Sequence, residues 1–309
     1  MITVLSLSPA IDKIYYVDNF RPGGLYRVNK VVKSAGGKGV NVAKVASALG
    51  NEVRLIGFKA GEAGNWLENQ LKRPGLETCF VEVKGETRTN SNIIDKVSNT
   101  ETELLEKGPF ITEDDVEKLM PAILDGIKKS EVLVCSGGLP EGMKKDFYAR
   151  IISLAKDHGV KVILDTSGEM LEQGIKASPF LVKPNKRELE SCTGNCLDNL
   201  SEAVNACKKI ISQGVEIIVA SMGKEGAILV SPDKCVKASV PPVEPVNTIG
   251  CGDSMVAGMA CALCNKGGKI EMLKLGMACG VANTQFEEIG CVDAQLVEKY
   301  YEMIEVVEI

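Results

Sequence analysis

Short apolar runs alternate with amphipathic stretches along most of the chain. Val132-Leu-Val-Cys135, Val160-Lys-Val-Ile-Leu164, Phe180-Leu-Val182 and Ile217-Ile-Val-Ala220 are rich in β-branched residues and nearly continuous. That is the pattern of strands buried on both faces. Between them, stretches near 143–157, 186–193 and 199–213 repeat at a helical period. The alternation predicts βαβ units and a mostly parallel sheet flanked by helices, an α/β fold. Ile2–Leu7 and Val53–Gly57, separated by the helical stretch Val40–Leu49, carry the pattern back to the first residues. After residue 250 three helices are expected, near 252–266, 270–283 and 293–304.

Two stretches break the rhythm. Residues 13–34 and 78–107 lack helical periodicity and read as extended pieces: Ile14–Val17, Arg27–Lys33, Arg88–Asp95 and Glu101–Glu106. They predict a small β layer made by two insertions beside one domain spanning 1–309. Pro241-Pro242 marks a loop within that domain.

Composition narrows the function. The chain has 309 residues, 36 Lys+Arg against 41 Asp+Glu, a formal charge of −5, and 45% hydrophobic residues. This is a globular composition, and it lacks the clustered basic face that nucleic-acid phosphates require. Eleven cysteines, an odd number without framework spacing, predict reduced thiols and a cytoplasmic setting. Met1-Ile-Thr-Val-Leu-Ser-Leu has no basic start and does not read as a signal peptide. Met255–Cys264, the least polar run, is too short to cross a membrane. The single histidine, His158, lies between Asp157 and Gly159 and reads as an exposed helix end. Most triad and histidine–metal chemistry is thereby removed. Cys261 and Cys264, like Cys192 and Cys196, lack a second pair or a histidine partner and read as packing.

Glycine marks the candidate chemistry. Thr248-Ile-Gly-Cys-Gly-Asp-Ser254 opens an apolar helix, so Gly250, Cys251 and Gly252 present successive backbone N–H groups where helical partial positive charge gathers. With Asp253, this fits either a capped helix start or an anion cradle beside a carboxylate base. Ala35-Gly-Gly-Lys-Gly-Val-Asn41 opens a second helix without the spacing of a Walker A loop; Gly37 permits close backbone approach, and Lys38 and Asn41 add polar groups. Lys183-Pro-Asn-Lys-Arg-Glu188 is a capping box in form, and Asn185 and Glu188 are also types that hold hydrated Mg²⁺. Ser221-Met-Gly-Lys-Glu-Gly226 joins two β-like runs.

Taken together, Asp12 after Ser8-Pro-Ala-Ile, the Gly-Gly-Lys-Gly loop, Arg88-Thr-Asn90, Ser136-Gly-Gly-Leu-Pro140, Lys183-Pro-Asn-x-x-Glu188, Ser221-x-Gly-x-x-Gly226 and Gly250-x-Gly-Asp253 follow the order found in the PfkB (ribokinase-like) carbohydrate kinases. The sequence resembles that family over essentially its whole length, most closely the phosphosugar branch. The resemblance implies a ribokinase-like fold with a small β-sheet lid, ATP and Mg²⁺ as cofactors, and a homodimer joined through the lids. It implies Asp253 as the base that takes the sugar hydroxyl proton, and Gly250, Cys251 and Gly252 as the anion hole. Asp12, Gly37, Lys38, Asn41, Arg88, Asn90 and Ser136 would hold the phosphosugar. Lys183, Asn185, Ser221, Gly223, Gly226 and Thr248 would face ATP, with Asn185 and Glu188 ordering Mg²⁺. Arg27 is a further cation on the sugar side. Fructose 1-phosphate is the first expected substrate, followed by tagatose 6-phosphate and fructose 6-phosphate.

Three positions depart from the family pattern: Ser8 for Asn, Gly138 for the second serine of Ser-Gly-Ser-Leu-Pro, and Cys251 for Ala. Cys251, at a helix N-terminus, is expected to have a lowered pKa and to be oxidation-sensitive. Two rivals remain: a catalytically silent sugar-phosphate-binding regulator, and a nucleotide-dependent oxidoreductase, against which stands the missing Gly-x-Gly-x-x-Gly after the first strand.

Overall fold

The computed structural model describes residues 1–309. The chain runs β1 (Ile2–Ser6), β2 (Ala10–Tyr16), β3 (Val31–Gly36), α1 (Lys38–Ala48), β4 (Val53–Lys59), α2 (Gly61–Gln70), β5 (Leu76–Glu82), β6 (Thr89–Asp95) and β7 (Thr100–Leu105). It continues through α3 (Glu113–Lys129), β8 (Val132–Ser136), α4 (Phe147–Asp157), β9 (Lys161–Asp165), α5 (Gly168–Lys176), β10 (Leu181–Val182), α6 (Lys186–Thr193), α7 (Leu200–Ile211) and β11 (Ile217–Ser221). It ends with β12 (Ala227–Ser231), β13 (Lys234–Ala238), α8 (Cys251–Cys264), α9 (Lys269–Asn283), α10 (Ala294–Met303) and β14 (Val306–Glu308).

Ten strands form one sheet in the order β14-β13-β12-β11-β10-β9-β8-β1-β4-β5. It is parallel from β11 to β5 and antiparallel from β11 to β14. Alternate residues serve opposite faces: on β8, Val132 and Val134 join one core, Leu133 and Cys135 the other. The first core is closed by α1, α8, α9 and α10, the second by α3 to α7. Helix α8 is buried over most of its surface, which explains why its sequence is apolar on every side.

A separate four-stranded sheet, β3-β2-β6-β7, is the small β layer. Its composition differs from the sequence expectation at one end of each insertion. Leu76–Glu82 pairs in parallel with β4 and extends the main sheet, so only Thr89–Leu105 of the second insertion enters the small one. In the first, Arg27–Lys30 lie outside the strand, which starts at Val31. Alternation alone cannot say which of two sheets a strand joins.

From β1 the chain moves outward to β4 and β5, and from β8 it moves the other way to β9, β10 and β11. The reversal lies between β1 and β8. The carboxyl ends of strands at such a reversal splay apart and leave a crevice, where ligands bind in open α/β sheets.

Candidate active site

One cavity opens at that crevice, and a second lies on the other side of the start of α8. The first, of about 580 Å³, is lined by the ends of β1 (Ser6, Ser8) and β8 (Ser136 to Pro140) and by small-sheet residues. Of the expected residues it gathers Asp12, Gly37, Lys38, Asn41, Arg88, Asn90, Ser136, Gly250 and Asp253. The other, of about 500 Å³, contains Ser221, Gly223, Gly226, Thr248, Cys251 and Gly252, with Val240, Val243, Met255 and Met277 as an apolar wall. The start of α8 lies between them, giving Gly250 and Asp253 to the first cavity and Cys251 and Gly252 to the second. Lys183, Asn185 and Glu188 line neither. Arg27 is exposed and outside both.

Gly250 precedes α8 with φ 78°, a left-handed conformation suited to glycine. Within the chain, the N–H groups of Gly250 and Gly252 find no acceptor, and that of Cys251 reaches Thr248 O only at 3.5 Å. These donors, added to the helix dipole, are suited to an anion. Beside them Asp253 is 8% exposed and its Oδ2 accepts from Asn41 Nδ2 at 2.8 Å. Burial, with the Asp165 charge, pushes its carboxyl up to about 7 against the opposing pull of Lys38, Asn41 and Lys183. A carboxylate poised near neutrality is suited to accepting a proton.

Beneath that start lies an ion cluster. Asp165, wholly buried at the end of β9, is 3.2 Å from Lys183 Nζ and 3.5 Å from Lys38 Nζ. Burial alone would raise its pKa, but the two ammonium groups hold it below the ordinary carboxylate value. Lys183 Nζ is 3.4 Å from where a Cβ on Gly252 would stand, so a cation sits against the first turn of α8. Asp165 was missed from sequence, although an acid ending a parallel strand (Leu164-Asp165) is a readable signal.

On the lid side, β2 and β6 place Asp12 and Asn90 in register, and Asn90 Nδ2 donates to Asp12 Oδ1 at 2.8 Å. The N–H of Gly37 approaches Asp12 Oδ2 at 3.3 Å, and burial raises the Asp12 pKa despite both bonds. Gly36 leaves room for this carboxylate: a Cβ there would fall 1.8 Å from Asp12 Oδ2 and would displace it. Arg88 donates to Ser8 O at 2.9 Å, and its Nε is buried without an acceptor. Asn41, Asn90 and Asn92 each carry a buried Oδ1 without a donor. Asn92, 3% exposed and lining the first cavity, was also missed, since a lone amide in a strand gives no sequence signal.

Asn185 and Glu188 form a complete capping box on α6: Asn185 Oδ1 accepts from Glu188 N at 2.9 Å and Glu188 Oε2 from Asn185 N at 2.8 Å. Glu188 Oε1 remains free of the cap, 3.9 Å from Lys38 Nζ. No cluster of three acidic, cysteine or histidine ligands exists to enclose a metal. An ion at Glu188 would therefore be held mainly by its own water and by a ligand's phosphates, as suits Mg²⁺. Thr248 donates to the Glu101 carboxylate on β7 at 3.1 Å, a link from lid to second cavity.

Cys251 corrects an expectation. Its thiol is not activated by the helix start: burial pushes it up to about 11, only partly offset by the Asn283 amide 3.6 Å away. All eleven cysteines are free thiols. His158 ends α4 exposed, as expected, with Nδ1 2.9 Å from Leu154 O. No helix is long and apolar enough to cross a membrane.

A ten-stranded α/β sandwich with a separate four-stranded sheet and a cavity at the sheet reversal defines a ribokinase-like protein. Residues 1–291 match the pfkB family carbohydrate kinase, and the chain belongs to that family. It is 36% identical to the tagatose-6-phosphate kinase of Staphylococcus epidermidis over 312 residues, covering 100% of both chains. It is 34% identical to the 1-phosphofructokinase of Bacillus subtilis over 290 residues, covering 94% of each. Phosphofructokinase-2 from Escherichia coli, solved in complex with potassium, superposes with a TM-score of 0.90 at 30% identity over 98% of each chain.

Proposed function

We propose that the protein transfers the γ-phosphoryl group of ATP to a hydroxyl of a ketohexose monophosphate, giving the bisphosphate and ADP. One observation carries the reading: a helix start with free N–H donors and a carboxylate near neutral pKa lies between a polar and a partly apolar cavity. The largely apolar second cavity suits a purine, and the first, with eight amide or carboxylate side chains and the cations Lys38, Arg88, Lys107 and Lys145, suits a phosphorylated polyol.

Asp253 accepts the hydroxyl proton as the oxygen attacks phosphorus. The N–H groups of Gly250, Cys251 and Gly252 and the ammonium groups of Lys38 and Lys183 face the charge on the moving phosphoryl group. Lys183, Ser221, Gly223, Gly226 and Thr248 serve the nucleotide side. Glu188 and Asn185 are the residues that would order a nucleotide-bound Mg²⁺, which would supply neutralisation of phosphate charge. Asp12, Gly37, Asn41, Arg88, Asn90 and Ser136 orient the sugar. Fructose 1-phosphate is the first substrate to assay. Tagatose 6-phosphate is the second reading, favoured by the 36% identity to the S. epidermidis kinase along the full chain.

Leu25, Val97 and Leu104 are 91%, 62% and 56% exposed on the lid and its turns. This apolar surface supports a homodimer in which a second copy covers it. A cytoplasmic setting accords with eleven unpaired thiols.

The test is a side-by-side comparison of kcat/KM for fructose 1-phosphate, tagatose 6-phosphate and fructose 6-phosphate with ATP, ADP release being coupled to a dye-linked assay. No turnover with any of the three, in a folded protein that binds them, would favour the silent regulator instead.

A further inference from the structure

We propose that Asn283 is a positioning residue for phosphoryl transfer, fixing the direction of the Gly250 N–H. The proposal rests on reading Gly250 to Gly252 as the anion site.

Asn283 ends α9 and is wholly buried. Its Nδ2 donates to Ile249 O at 2.9 Å and leans on Cys251 Sγ at 3.6 Å, and its Oδ1 accepts from Gly290 N at 2.9 Å. The consequence follows from peptide geometry. In a planar trans peptide, C=O and N–H point in opposite directions. Drawing the Ile249 carbonyl toward α9 turns the Gly250 N–H away from α9, and Ile249 and Gly250 both line the first cavity. Glycine at 250, at φ 78°, would otherwise let this peptide turn over cheaply.

The clamp is itself held. Gly290 N, bound to Asn283, shares a peptide unit with Ile289 O, which accepts from the buried Lys44 ammonium at 2.6 Å. Lys44 also donates to Ala35 O at 3.2 Å and to Glu288 at 2.8 Å. The 289–290 peptide is thus pinned at both ends, and one amide transmits its position to the 249–250 peptide. The same unit abuts the partner of Asp253: a Cβ on Gly290 would fall 2.8 Å from Asn41 Oδ1. None of these links faces substrate, so Asn283 acts through Gly250.

Asn283→Asp tests this, because it is isosteric, keeps the acceptor for Gly290 and removes the donor to Ile249. We expect kcat to fall at least about tenfold, toward the 10²–10³ that losing one such donor costs. KM for ATP and phosphosugar should stay within about twofold, since ground-state binding is spared. Affinity for ADP with aluminium fluoride should fall with kcat, while affinity for ADP alone holds. A residue serving only the fold would lower the melting temperature and leave these ratios unmoved; wild-type kcat in Asn283→Asp or Asn283→Ala overturns the proposal. Wild-type crystals with phosphosugar, ADP and aluminium fluoride give a check free of folding defects. Gly250 N should lie about 3 Å from a fluoride. A fluoride seated between the cavities with the Gly250 N–H turned away overturns the role of Asn283 alone. A fluoride bound elsewhere overturns the reading of the site as well.

Discussion

Asn41 donates to Asp253 across 2.8 Å, tying α1, which follows one glycine loop, to the first turn of α8, which follows another. The two glycine motifs of the sequence thus meet at one carboxylate. That carboxyl, buried and near Asp165, is raised to about 7. A base must be ionised, so kcat/KM is expected to rise with pH and level off above about 7. Asp253→Asn should lower kcat on the order of 10²–10⁴-fold with little change in phosphosugar KM. Retention of more than about a tenth of wild-type kcat would refute the assignment.

The same burial has a cost in stability. A carboxyl whose folded pKa exceeds its unfolded value binds its proton more tightly when folded, so stability is lost as pH rises from about 4 toward 7. Asp253→Asn removes that loss. The variant should melt higher than wild type at pH 8 and show little advantage at pH 4. A lower melting temperature at both pH values would mean that the bond to Asn41, not the buried charge, dominates. Activity and stability are then opposed at this one side chain, as functional sites often require.

Asp165 carries the opposite sign. Its negative charge raises the Asp253 pKa, so Asp165→Asn should move the acid limb of the pH–rate profile to lower pH. The substitution also leaves the Lys183 ammonium, 4% exposed, without its carboxylate. Stranding one partner of a buried pair costs about 3–5 kcal/mol, which thermal or urea unfolding would register. An unmoved acid limb in a folded variant would show that Asp165 does not sense Asp253.

Most of the fold was legible because buried parallel strands are apolar without interruption, as Val132–Cys135 is. Helix α3 was not: its stripe of Leu119, Ile123 and Ile127 is narrow, and Pro121 interrupts an otherwise acidic and basic surface. The candidate site's geometry was legible where its residues follow one another in the chain, as in Gly250 to Asp253. It was not where partners lie far apart in sequence, as with Asp165 and Lys38, 127 residues apart, or Lys44 and Ile289, 245 apart. Helix-start position also misled for Cys251, because burial in an apolar wall outweighs a helix dipole acting on a thiol.

The proposed function uses the backbone of Cys251 and not its sulfur. Held up to about 11, the thiol is nearly all protonated at pH 7.5 and a poor nucleophile. Peroxide or iodoacetamide should inactivate wild type and Cys251→Ala at the same rate, and Cys251→Ala should keep kcat within about threefold. Faster inactivation of the wild type, relieved by ATP, would restore the redox role expected from the sequence.

Arg88 is the cation to which the proposed function assigns recognition of the phosphosugar. Its guanidinium reaches Ser8 O at 2.9 Å and Glu106 O at 3.5 Å, while Nε is buried with nothing to receive its hydrogen. An unpaired buried donor costs about 1–3 kcal/mol, a cost that an anionic ligand in the same cavity would relieve. Asp12 and Asn90 share that cavity, and nothing of Arg88 lines the second one. Arg88→Ala should therefore raise the KM for the phosphosugar by about 10–100-fold, the worth of a charge-assisted contact, and leave the KM for ATP within about twofold. Arg88→Lys keeps the charge but loses the planar fork, so it should recover only part of the affinity. An equal rise in both KM values would place Arg88 outside sugar recognition and leave it as a brace between the β1–β2 and β7–α3 loops.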